Sequence, residues 1–161
     1  MIYKSVDELE HFSFRDARIE KCERLEKGLL LELEAVIVCA DNSQNSNFTD
    51  SYAGPLHLRL LGAQIQKAVK EGYKDYDAND VLLDEVPDTP LTEEETDALL
   101  KGCSGYDLFD VVKVEDSQND TGKQLYLFGV DKDEDTTYWL QIVFEKAVAE
   151  WDKYLNRVQK L

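Results

Sequence analysis

Leu29, Leu31, Leu33, Ala35, Ile37 and Cys39 fall at every second position of the chain. That spacing lines one face of an extended strand and cannot line one stripe of a helix. Glu32 and Glu34 make the opposite face polar at first, and Val36 and Val38 make it apolar further on, so the pattern predicts a long strand with its second half covered on both sides. Leu56, Leu58 and Leu60 repeat the spacing and set His57 and Arg59 on the other face. A chain organised around such segments must build a sheet. The Lys27-Gly28 turn joins the long strand to residues 17–25, whose sparse apolar positions read as an edge or half-exposed strand, and a short Gly-containing link of this kind predicts an antiparallel hairpin.

The last third of the chain follows the same logic. Residues 108–114, 124–130 and 137–144 are rich in β-branched and aromatic side chains and are joined by turn-prone links at 117–122 and 131–135, which predicts a meander. Leu125 and Leu127 alternate with Tyr126 and Phe128, so the middle strand is expected to be covered on both faces. Residues 65–69 are too short a run for periodicity to decide, and 41–54, rich in Asn, Ser and Asp, read as a loop whose side chains bond local backbone.

Helical signals are fewer. Ser5-Val6-Asp7-Glu8 and Thr92-Glu93-Glu94-Glu95 both match a capping box, the second opening a helix that Gly102 ends. Ala147, Trp151, Tyr154, Leu155 and Val158 recur at three and four residues and predict a closing amphipathic helix, although 143–151 also reads as a continued strand. With 161 residues, 43% of them hydrophobic, and no repeat or linker, the chain can fill one core. The expected class is a single α+β domain over residues 1–161: mostly antiparallel β, a bent sheet or partly closed barrel with two or three helices.

Charge narrows the function. Eleven of the 27 residues from 71 to 97 are acidic and only Lys74 opposes them, so this stretch holds ten of the sixteen net negative charges. A field of one sign attracts cations or basic protein surfaces and repels phosphate backbones. No stripe of Lys and Arg exists to displace counterions, and direct nucleic-acid binding is disfavoured. Asp75, Asp77, Asp80, Asp84, Glu85 and Asp88 are the candidate contacts for a basic protein partner.

Metal and catalytic templates fit less well. Asp75-x-Asp77-x-Asn79 and Asp131-x-Asp133-x-Asp135 set oxygen ligands at alternate positions as a calcium loop does, but the sixth position is Asp80 or Thr136 instead of Gly, and the twelfth is Val86 or Ile142 instead of Glu. No metal is expected. Glu32, Glu34, His57 and Arg59 form the alternative pocket, inside the bent sheet, for a small hydrolase or ligand-binding domain; the simpler reading is a solvated strand face. No P-loop, dinucleotide fingerprint, nucleophile elbow or zinc spacing occurs, so no cofactor and no catalytic residue is assigned.

Cys22, Cys39 and Cys103 are odd in number and widely spaced on apolar-patterned segments, which reads as reduced and packed. The longest apolar run, residues 35–40, is far short of a membrane span, and residues 1–10 have no basic region followed by an apolar core. A cytoplasmic protein is expected, with the sequons at Asn47 and Asn119 unused.

Phe14-Arg15-Asp16-Ala17-Arg18-Ile19, the long strand and the Asn-rich loop after it, Tyr126-Leu127-Phe128-Gly129-Val130-Asp131 and Glu150-Trp151-Asp152 together resemble a group of small, uncharacterised bacterial domains. Some such acidic single-domain proteins resemble immunity proteins that neutralise basic toxin domains. That resemblance implies a protein-binding role without catalytic residues.

Overall fold

The computed structural model describes residues 1–115 and 122–158, and within them the chain forms sixteen strands and one α-helix. β1 (Tyr3–Val6), a single 3-10 turn at Leu9–His11 and β2 (Phe12–Ser13) come first. β3 (Ala17–Leu25) and β4 (Gly28–Glu34) form the first long hairpin, with Leu25 opposite Gly28. β5 (Ile37–Val38), β6 (Ser51–Ala53), β7 (Leu56–Leu61) and β8 (Gln64–Lys70) follow, then β9 (Tyr73–Tyr76), β10 (Leu82–Val86) and β11 (Thr89–Pro90). After α1 (Glu93–Gly102) come β12 (Asp107–Lys113), β13 (Gln124–Asp133), β14 (Thr136–Phe144), β15 (Lys146–Trp151) and β16 (Tyr154–Arg157).

Ten strands share one sheet in the order β1-β15-β7-β4-β3-β12-β13-β14-β8-β11, four form a second sheet, β16-β6-β5-β2, and β9 pairs only with β10. The protein is therefore mostly antiparallel β with one helix, and the large sheet is not closed. It folds back on itself at one corner. β7 runs into β8, and β14 into β15, so the ladder that ends at Leu61–Lys146 resumes at Gln64–Val143. Gly62 makes that corner at φ +68°, a left-handed conformation that a side chain resists, and an added Cβ would meet the Glu145 side chain at 2.9 Å.

The fold-back brings the apolar faces together. Leu29, Leu31 and Leu33 of β4 and Leu56, Leu58 and Leu60 of β7 are buried with Tyr126, Phe128, Leu140 and Ile142 from the meander. α1 lies over one part of this core and contributes Leu100. Thr92 caps it as expected: its hydroxyl accepts from the Glu95 amide at 3.1 Å while the Glu95 carboxylate accepts from the Thr92 amide at 3.0 Å. Trp151, fully buried, holds the junction with the small sheet by stacking on Tyr3 and meeting Phe12 edge-on.

The β3–β4 hairpin and the β12–β13–β14 meander form as the sequence predicts; most of the 117–122 link and Asn119 lie outside the described residues. The long strand, however, ends at Glu34. Ala35 turns to φ +58°, and Ile37 and Val38 enter the small sheet. β3 is not an edge, but β12 pairs only with its Ala17 and Arg18, so its second half stays largely exposed. In the Asn-rich loop, Asn45 donates to the carbonyls of Val38, Cys39 and Thr49 at 3.0–3.1 Å, the expected side-chain-to-backbone bonding.

Two expected helices are absent. Ser5 and Glu8 do meet, hydroxyl to carboxylate at 2.8 Å, but between a strand and a 3-10 turn. At the other end the strand reading of 143–151 holds and the closing helix does not: the chain forms β15 and β16. β15 lies between β1 and β7 with Ala147, Val148 and Ala149 all buried, and a strand covered on both faces loses the period of two that would distinguish it from a helix.

Candidate interaction surface

Residues 71–90, the first part of the acidic stretch, contain a β-hairpin that stands apart from both larger sheets. Asp77 builds its turn. The Asp77 carboxylate accepts from the amides of Asn79 and Val81 at 2.8 and 3.0 Å, the Asp77 amide donates to the Val81 carbonyl at 2.9 Å, and Asp80 takes the left-handed conformation at φ +61°. Asp and Asn tolerate that conformation better than most residues. Asp88 closes the base by accepting from the Gly72 amide at 2.7 Å, and the Glu71 amide donates to the Thr137 carbonyl at 2.8 Å.

Every residue of β9 and β10 is exposed. Asp75 lies directly opposite Asp84, a like-charge pairing that a two-stranded ladder does not favour. Glu85 faces Lys74, with their charged atoms 3.6 Å apart. Tyr73, Tyr76, Val81, Leu82, Leu83 and Val86 are also exposed, six of the fourteen exposed large apolar side chains among the described residues. Acid and apolar surface therefore coincide on a small projection.

Beside the hairpin base is an acidic cleft of about 560 Å³ lined by Glu71, Tyr73, Asp75, Glu134, Asp135 and Thr137, together with Gly72. The second Asp-rich segment ends here, two of its carboxylates engaged in its own turn: Asp133 accepts from the Asp135 amide at 2.9 Å, and Asp131 from the Thr137 hydroxyl at 2.5 Å. Among the described residues no three His, Cys, Asp or Glu side chains come together to hold a metal ion. Trp139 forms a half-buried border to this region. Its indole donates to Glu71 at 3.3 Å, and its ring meets Phe109 edge-on at 5.3 Å.

The six sequence-selected acids thus divide in two. Asp77 and Asp88 shape the hairpin, whereas Asp75, Asp80, Asp84 and Glu85 present charge on it. The exposed apolar side chains were signalled only by the run Val81-Leu82-Leu83, which carries no period because neither face of the hairpin is buried.

Glu32, Glu34, His57 and Arg59 do not converge inside the sheet. Their strand neighbours Leu31, Leu33, Leu56 and Leu58 are the buried ones, so these four point outward. Glu32 pairs across the ladder with His57, Oε1 to Nε2 3.7 Å, Arg59 lies 3.5 Å from Glu150, and Glu34 is exposed opposite Arg18. They make a surface charge ladder, and apolar side chains fill the space beneath. No helix among the described residues is long and apolar enough to cross a membrane. Comparison with protein-family models, curated proteins and solved structures gave no match.

Proposed function

We propose that this chain is a cytoplasmic interaction module of the immunity type, which uses the β9–β10 hairpin and the adjoining acidic cleft to dock on a basic partner protein. The observation that carries the reading is the combination of exposed carboxylates and six exposed apolar side chains on one projecting hairpin. Charge steers the encounter and suppresses wrong partners, while desolvated aromatic and aliphatic anchors supply most of the binding energy. Soluble proteins rarely concentrate this much apolar surface without a use for it. The cleft gives a Lys or Arg side chain four carboxylates, Glu71, Asp75, Glu134 and Asp135, within one concavity. The same field repels nucleic acid.

The test is capture from a lysate of the source organism with wild type and with a variant carrying D75N, D80N, D84N and E85Q, which keeps the turn-forming Asp77 and Asp88. Wild type is expected to retain a basic protein at low salt and release it at high salt, and the variant to lose it. Retention of the same proteins by both would remove the hairpin's charge from the function.

A further inference from the structure

We propose that Cys22 and Cys103 form a reactive thiol pair that closes to a disulfide on meeting an oxidised low-molecular-weight disulfide, clamping α1 to β3. Cys103 follows the last residue of α1 and is buried; Cys22 lies in β3 and is half-buried. Both line one small apolar cavity, with Leu29, Leu99, Leu100 and Phe128 among its walls. The turn carrying Cys103 is fixed to the same strand. The Gly105 amide donates to the Ile19 carbonyl at 2.7 Å, and the Ile19 amide to the Tyr106 carbonyl at 2.8 Å. The pair thus sits across a junction already held in register.

The two thiols also influence each other. The Cys103 thiol donates to the Leu100 carbonyl at 3.3 Å, and Cys22 beside it holds it below its ordinary value, while Cys103, with burial, pushes Cys22 up. Cys103 is therefore the sulfur that ionises first, and the thiolate is the nucleophile in thiol–disulfide exchange. Lys101, Gly102 and Ser104 around it are exposed, so fraying of the last turn of a ten-residue helix admits a small reagent. Cys39 is set apart: burial, then the charges of Asp50 and Asp41, push its thiol up.

The chemistry balances in two exchanges. The Cys103 thiolate attacks one sulfur of the reagent, breaking its S–S bond and releasing one small thiolate. The Cys22 sulfur then loses its proton, attacks the Cys103 sulfur of the mixed disulfide and releases the second small thiol. Two electrons pass from the protein sulfurs to the reagent, and the two protons pass to the released thiolates.

Oxidised glutathione applied to the native protein, followed by intact mass and peptide mapping, tests this. The expected product is lighter by two hydrogens, retains no glutathione, and yields a peptide linking Cys22 to Cys103. Its Tm is expected to rise by on the order of 10 °C, because closing so long a loop constrains the denatured chain. Cys39→Ser should give the same product, and Cys22→Ser and Cys103→Ser no link. A persistent glutathione adduct without a link, a bridge through Cys39, a link that forms only in denaturant, or an oxidised protein that melts no higher than the reduced one would each overturn the proposal.

Discussion

Glu8 gathers more polar contacts than its place in a half-buried N-terminal turn requires. The Ser43 hydroxyl donates to it, the Ser43 amide at 2.9 Å and the Ser5 hydroxyl at 2.8 Å, so one carboxylate ties the 41–50 loop to the start of the chain. Burial alone would raise its pKa. The Ser43 and Ser5 hydrogen bonds and the nearby His11 outweigh burial and hold it below the ordinary glutamate value. A depressed folded pKa contributes stability that is full above the unfolded value and is lost as pH falls through the folded one. The effect is small, because Glu8 is only half-buried and solvent still screens it. Melting of wild type and Glu8→Gln from pH 7 to pH 3 is expected to show wild type the more stable at neutral pH, with the gap closing on acidification; a constant gap would contradict this. Sequence showed half of the arrangement. The Ser5–Glu8 spacing was legible, but the bond to Ser43 joins residues 35 apart and leaves no local pattern.

Elements were legible where one face is wet and the other dry. β4, β7 and α1 have that contrast, and their patterns carried the right assignment. β15 has two dry faces and β9 and β10 have two wet ones, and in both cases the period vanishes. The hairpin is also the weakest element in physical terms, since an isolated two-stranded ladder is marginal in water. Its turn depends on the two amide hydrogen bonds to Asp77, each contributing about 0.5–1.5 kcal/mol. Asp77→Ala is therefore expected to speed amide exchange in residues 73–86 by roughly five- to a hundredfold while leaving β4 and β7 unchanged. Asp75→Asn, which removes the charge facing Asp84, should leave exchange there equal or slower. Equal acceleration by both substitutions would mean that Asp77 has no special part in the turn.

At the scale of the whole molecule, the antiparallel sheet was legible as a class, and the excess of acid was legible as a count. The projection that carries the acid was not, because its position depends on β8 and β11 pairing at the sheet edge while β9 and β10 leave it. The corner at Gly62 was equally hidden, because only the tertiary ladder shows two strands turning together. The resulting molecule has a packed apolar interior, a charge ladder on one outer face, and net charge of −16 with its densest part on the hairpin and the segment after it. Steering by such a field acts mainly on the on-rate and weakens as salt shortens the screening length to roughly 10 Å or less. The most direct measurement is the association rate with the captured basic partner, for wild type and for the variant carrying D75N, D80N, D84N and E85Q, at low and high ionic strength. The expected result is a wild-type rate at least several-fold faster at low salt that falls steeply as salt rises, against a slower and flatter rate for the variant. Identical rates for the two proteins at both ionic strengths would contradict the docking role.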